Sequence, residues 1–120
     1  MERLSSVLVL LWEVFMTKKK KKVETVLGFT SVEVLGHTIT VEETTDTNKL
    51  LVNNQLCYGL FSPLESKLVI STNQSGQNIK QTFYHELLHA IDWLSHNEEY
   101  KYDEEVVNVL GRGLATVRID

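Results

Sequence analysis

Between Val23 and Thr72 the chain alternates apolar and polar residues in three places, at Val32 and Val34, at Ile39 and Val41, and at Leu68 and Ile70. Period two places one face of each run against a core, so three half-buried strands are predicted. Gly36-His37 separates the first two runs at hairpin distance, the polar stretch Thr44 to Asn54 reads as a longer connection, and Ser62-Pro63 marks the turn before the third strand, Lys67 to Ser71. Beyond the polar stretch Thr72 to Gln77 the period changes. Ile79, Phe83, Leu87, Ile91 and Leu94 recur at helical spacing, which predicts one long helix over roughly 76–96, with Ser75 or Asn73 as its N-cap. The segment SHNEEYKYD interrupts this pattern, and Val106, Val107, Leu110, Leu114 and Val117 define a second amphipathic helix from about Asp103. Strands followed by helices predict an α+β domain, with the helices packed on one face of a small, mostly antiparallel sheet.

A chain of 120 residues has room for one hydrophobic core. Its 42% hydrophobic and 23% charged residues exclude wholesale disorder and fibrous classes. The lone Cys57 excludes an internal disulfide or a Cys-based metal ribbon, and fits a reducing compartment; the expected location is the cytoplasm. Residues 1–22 form an apolar, lysine-rich segment distinct from a domain over 23–120. Its apolar run, residues 7–16, is about half the roughly 20 residues needed to span a bilayer and contains Glu13, so no membrane span is expected. A secretory signal is also disfavoured, because Lys18 to Lys22 follow the apolar run instead of preceding it. Two readings of this segment stand: an N-terminal helix, or a translated leader over residues 1–15. The second arises because the codons for Trp12-Glu13-Val14 can spell a bacterial ribosome-binding site just upstream of Met16. Without residues 1–22 (Arg3 and five lysines, Glu2 and Glu13) six basic residues face fourteen acidic ones, so the body is acidic and offers no footprint for nucleic acid.

The long helix carries His85-Glu86-Leu87-Leu88-His89, an HExxH motif. Residues i and i+4 share a helix face about 6 Å apart along the axis, so two imidazoles can converge on one Zn²⁺. Glu86 lies about 100° round the helix, beside such an ion, where it can serve as general base for a water activated by the metal. A random shuffle of four His and twelve Glu would produce the motif in about one chain per hundred. Its placement in an amphipathic helix, with His85, His89, Asp92 and His96 on one polar stripe, argues for a site over surface decoration.

Such a site needs a third protein ligand and an open position. The metzincin pattern would place Gly and His where this chain has Asp92 and Ser95, so that class is excluded. His96 lies about 10 Å beyond His89 along the axis, too far for the same ion, and reads as a helix-end residue. Glu104 and Glu105, at the start of the second helix, are the remaining candidates. Glu104 is favoured because Asn108, four residues on, shares its face and can accept an imidazole N–H from behind the metal. The dipole of the helix explains acids at its start without choosing between the two.

FYHELLHAID followed by DEEVVNVLGRGL resembles the compact phage-encoded gluzincin metallopeptidases related to the ImmA/IrrE type, in which HExxH is followed by ExxxN in the next helix. The resemblance covers roughly residues 30–117 and is specific in the two helical motifs; YGLFSPLESKLVIS is similar to the short sheet that precedes the active-site helix. It implies a zincin-like fold, Zn²⁺ held by His85, His89 and Glu104, Asn108 behind them, Glu86 as general base, and a peptide or protein substrate. For a phage protein the location would be the host cytoplasm. It also implies that the strand Lys67 to Ser71 forms the sheet edge above the metal, along which a peptide could pair. An oxyanion-stabilising Tyr or His would complete the site, with Tyr58, Tyr84, Tyr100, Tyr102 and His37 as candidates. Val107-Asn108-Val109-Leu110 departs from the Ala-Asn and Phe-Ala of ImmA/IrrE chains, which points to a neighbouring branch and leaves the substrate open. Two other readings remain: a zinc-binding interaction module with little turnover, and an SprT-like nucleic-acid-associated protease, for which the lysine run speaks and the missing third histidine does not.

Overall fold

The computed structural model describes residues 25–118, so the leader and N-terminal helix readings of residues 1–22 lie outside the described residues. Strands β1 (Ser31–Val34), β2 (His37–Thr44), β3 (Leu51–Val52), β4 (Gln55–Leu56), β5 (Gly59–Ser62) and β6 (Lys67–Ser71) precede helices α1 (Gly76–Ser95) and α2 (Glu104–Ala115). Four strands form one sheet in the order β1-β2-β6-β5, and β3 with β4 forms a separate hairpin. The β1–β2 and β5–β6 pairs are antiparallel and β2–β6 is parallel, so the α+β class with a mostly antiparallel sheet holds. Among the described residues no helix is long and apolar enough to cross a membrane.

The first hairpin turns on two residues, since Val34 pairs with His37. Leu35 (φ 50°) and Gly36 (φ 83°) both adopt the positive φ that matches such a turn to the strands' twist. Ile39, Val41, Phe61, Leu68 and Ile70 project from the sheet onto Ile79, Phe83 and Ala90 of α1, and these residues make the core. The period-two and helical patterns thus meet face to face. Only α1 packs broadly on the sheet, across β5 and β6, and α2 packs on α1. The expectation that both helices cover the sheet is corrected on this point.

A second correction concerns β6. Its residues Leu68, Val69, Ile70 and Ser71 are all buried, because β2 and β5 flank it. The 3-10 turn Thr47–Leu50 packs against it as well and buries Leu50. The strand expected at the edge is therefore central, and β5 is the edge strand beside α1. Sequence pattern missed β5 because four residues, Gly-Leu-Phe-Ser, are too short to show alternation. The β3–β4 hairpin carried a readable signal. Asn53 (φ 53°) and Asn54 (φ 65°) occupy a two-residue turn of the kind that favours Asn.

Both helices begin and end as their sequences dictate. Ser75 caps α1 by accepting the N–H of Asn78 at 3.2 Å, and Asp103 caps α2 by accepting that of Glu105 at 2.9 Å. Helix α1 stops where Asn97 enters the left-handed region (φ 55°) and the N–H of Glu98 bonds back to the carbonyl of Trp93 at 2.9 Å. The chain then returns along α1 because Asp92, 0% exposed, accepts the backbone N–H groups of Lys101 (2.9 Å) and Tyr102 (2.8 Å) together with the His96 ring (2.8 Å). Burial alone would push the Asp92 carboxyl upward, yet these donors outweigh it and hold the group below its ordinary value.

Asp92→Ala should therefore destabilise the fold by about 3 kcal/mol, since it strands buried donors, and urea denaturation at neutral pH would measure this. Because its folded pKa is depressed, the contribution of Asp92 is present above the ordinary carboxylate value near 4 and is lost as pH falls through the folded value. The difference in stability between the parent and Asp92→Ala should accordingly shrink in acid below about pH 4.

Candidate metal centre

His85 and His89 lie one turn apart on α1, and the return segment fixed by Asp92 delivers Glu104, the first residue of α2, opposite them. The Nε2 atoms of the two imidazoles are 3.2 Å apart. Glu104 sets Oε2 3.0 Å from His85 Nε2 and Oε1 3.4 Å from His89 Nε2. A tetrahedral ion with nitrogen and oxygen donors at roughly 2.0–2.1 Å keeps those donors about 3.3 Å apart. The two imidazole nitrogens thus stand at about one such edge length, each beside a different oxygen of Glu104, and ligand atoms of His85, His89 and Glu104 all fall within 4.8 Å of one another. This group can hold a metal ion. The donors suit it chemically too: burial first, and then the neighbouring His85, lower the pKa of His89, which favours the neutral imidazole a cation needs.

The approach of the two helices depends on Gly111. A Cβ there would stand 3.3 Å from both the N and the Cα of His85, closer than nearly all real contacts. Gly111, Val107 and Ala115 form the buried face of α2, and Glu104 sits two turns before Gly111 on that face. Glu105 instead borders an apolar surface cavity with Val106, Val109 and Leu110, away from the histidines. Glu104, which the sequence favoured, is the glutamate that groups with the two histidines. Asn108 is exposed, and the hydrogen bonds of the described residues do not join its amide to either imidazole. His96 caps the C-terminus of α1 and is occupied by Asp92.

Glu86 lines the same cleft, a cavity of about 470 Å³ between α1, β5 and the start of α2. Burial, and then the charge of Glu104, raise its pKa to about 7, against an opposing hydrogen bond from the backbone N–H of Phe61. Edge strand β5 thus borders the Glu86 carboxyl. Gly59 makes room for it, since a Cβ there would meet Thr82 Cγ2 at 2.4 Å and Glu86 Cγ at 2.9 Å. Glycine at 59 is a feature sequence reading passed over, and the Cys57-Tyr58-Gly59 run ahead of Phe61 was its only trace.

The five oxyanion candidates separate. Tyr58 lines the cleft. Tyr100 meets the His89 ring edge-on at 5.8 Å, and burial together with the charges of Glu86 and Asp92 raises its pKa. Tyr84 packs against Phe83 and the core, Tyr102 meets the His96 ring edge-on, and His37 lies at the β1–β2 turn. No family model, curated protein or solved structure matches the chain.

Gly111→Val should push α2 off the His85 backbone and weaken metal binding at least tenfold, as read by titration against a chromophoric chelator. Gly59→Ala tests the other side of the cleft: the metal should remain, because its ligands are untouched, while Glu86 is displaced. Equal loss of metal in both variants would show that the two glycines do not act separately.

Proposed function

We propose that the protein is a zinc-dependent metallopeptidase of the HExxH gluzincin type with a zincin-like fold, and that it hydrolyses peptide bonds of a peptide or protein substrate. One observation carries this reading: His85, His89 and Glu104 bring ligand atoms within 4.8 Å of one another while Glu86, beside β5, shares their cleft. The two helical motifs that resemble phage gluzincins agree with it, as does the choice of Glu104 over Glu105.

When bound, Zn²⁺ would polarise the scissile carbonyl and acidify a water molecule. The residues of the chain then have distinct tasks. Glu86 accepts a proton from the attacking water and passes it to the departing amine nitrogen as the carbon–nitrogen bond breaks and the new carbon–oxygen bond forms. The Phe61 N–H favours the ionised, proton-accepting form of Glu86. The hydroxyl of Tyr100 or Tyr58 supplies a donor to the developing oxyanion. Within the described sheet β5 is paired on one side only, by β6, so an extended peptide can lie along its other edge.

Chelation should lower the melting temperature of the zinc-loaded protein by several degrees, because a ligand that binds only the native state stabilises it; calorimetry with and without chelator measures this. Glu104→Ala should lose zinc, and Glu105→Ala should retain it. Glu86→Gln should keep both zinc and fold while cleavage of a mixed peptide library, followed by mass spectrometry, drops about a hundredfold or more. Unchanged cleavage in Glu86→Gln would refute the general-base role, and absence of cleavage by the zinc-loaded parent would leave an interaction module as the better reading.

A further inference from the structure

A second cavity of about 500 Å³ adjoins the metal cleft and shares Tyr58, Gln81 and Thr82 with it. Asn73, Gln74 and Asn78 complete its lining, so every residue there is polar or a tyrosine and none carries a formal charge. Part of this wall is fixed. Gln74 donates to the carbonyl of Ser71 at 2.9 Å and accepts from the Thr82 hydroxyl at 3.4 Å, and Asn73 donates to the carbonyl of Thr45 at 3.3 Å. The side-chain amides of Asn78 and Gln81 have no such partner among the described residues, which leaves donors and acceptors for a ligand.

Position gives this cavity a role. Asn78, Gln81 and His85 follow one another along one face of α1 at intervals of three and four residues, so Gln81 lies about 6 Å and Asn78 about 10 Å before the first ligand. An extended peptide advances about 3.3 Å per residue. We propose that this cavity is a substrate subsite for an uncharged hydrogen-bonding side chain, Gln, Asn, Ser or Thr, one to three residues from the bond that is cut. The proposal rests on the peptidase reading and deepens it. An apolar side chain would strip water from the Asn78 and Gln81 amides without replacing its hydrogen bonds. A basic side chain finds no carboxylate in the lining, and an acidic one meets no cation there and approaches an acidic body.

The test uses the zinc-loaded full chain and pentapeptide hydroxamates in an alanine host, with the hydroxamate at either end as metal anchor and Gln, Glu, Lys or Leu placed at each position in turn. Equilibrium binding is read by calorimetry, with the all-alanine hydroxamate as reference in each protein. At one or more of the three positions nearest the anchor, in one of the two series, Gln should bind about tenfold tighter than Leu, Glu or Lys. In Asn78→Leu or Gln81→Leu, both on accessible positions of α1 and checked for folding by circular dichroism, that preference should fall below about threefold. Binding with no preference at any position, a preference for Glu, Lys or Leu, or a Gln preference that survives in both variants would overturn the subsite and leave the peptidase reading intact. Failure of every hydroxamate to bind protein that holds stoichiometric zinc would overturn both.

Discussion

The Asp92 carboxylate lies in the interior and accepts two backbone N–H groups, of Lys101 and Tyr102, from the segment that leaves α1. Two of the three metal-group residues sit close to that contact in sequence. His89 is one turn before Asp92 on α1, and Glu104 follows Tyr102 after the single capping residue Asp103. A charge buried in this way is tolerable only because its acceptor positions are filled. The same saturation fixes the relative rotation of the two helices. The metal ligands contributed by α1 and α2 are therefore registered by a hydrogen-bonded node outside the site, and the site itself can remain open toward the cleft.

Two close approaches complete the frame. Gly111 brings α2 to the His85 backbone on one side, and Gly59 brings β5 to Glu86 on the other. A metal site and its proton acceptor thus share one stretch of helix while facing different neighbours. Burial raises the pKa of Glu86 and lowers that of His89, both toward the uncharged form, because each is enclosed between packed elements. In so small a body the cleft walls are the core elements themselves.

The helices and the metal group were legible from sequence because helical periodicity and the HExxH spacing are local. Ser75 and Asp103 cap where capping chemistry places them, and of the polar stripe of α1 His85 and His89 face the cleft while Asp92 and His96 turn to the segment that leaves the helix. The sheet was less legible. Strand β6 looked half-buried, since alternation at Leu68 and Ile70 says nothing of Leu50, which arrives from a distant turn in the chain. Edge strand β5 was silent because its register is set by pairing with β6 and its Gly59 by contact with α1, both of them tertiary facts. Sequence favoured Glu104 over Glu105 through Asn108, yet Asn108 is exposed, and what distinguishes the two glutamates in the structure is the side of α2 each occupies.

The parallel pairing of β2 with β6 has a kinetic consequence. Thr40 pairs with Lys67, and the chain between these strands must close a long loop before any of their ladder forms. The β5–β6 hairpin, by contrast, closes over only the four residues between Ser62 and Lys67, so α1 has β5 and β6 to cover, and Glu86 can be enclosed, without that closure. The two histidines and the strand beside them thus belong to the locally connected part of the chain, and the β1–β2 hairpin joins it through the long closure.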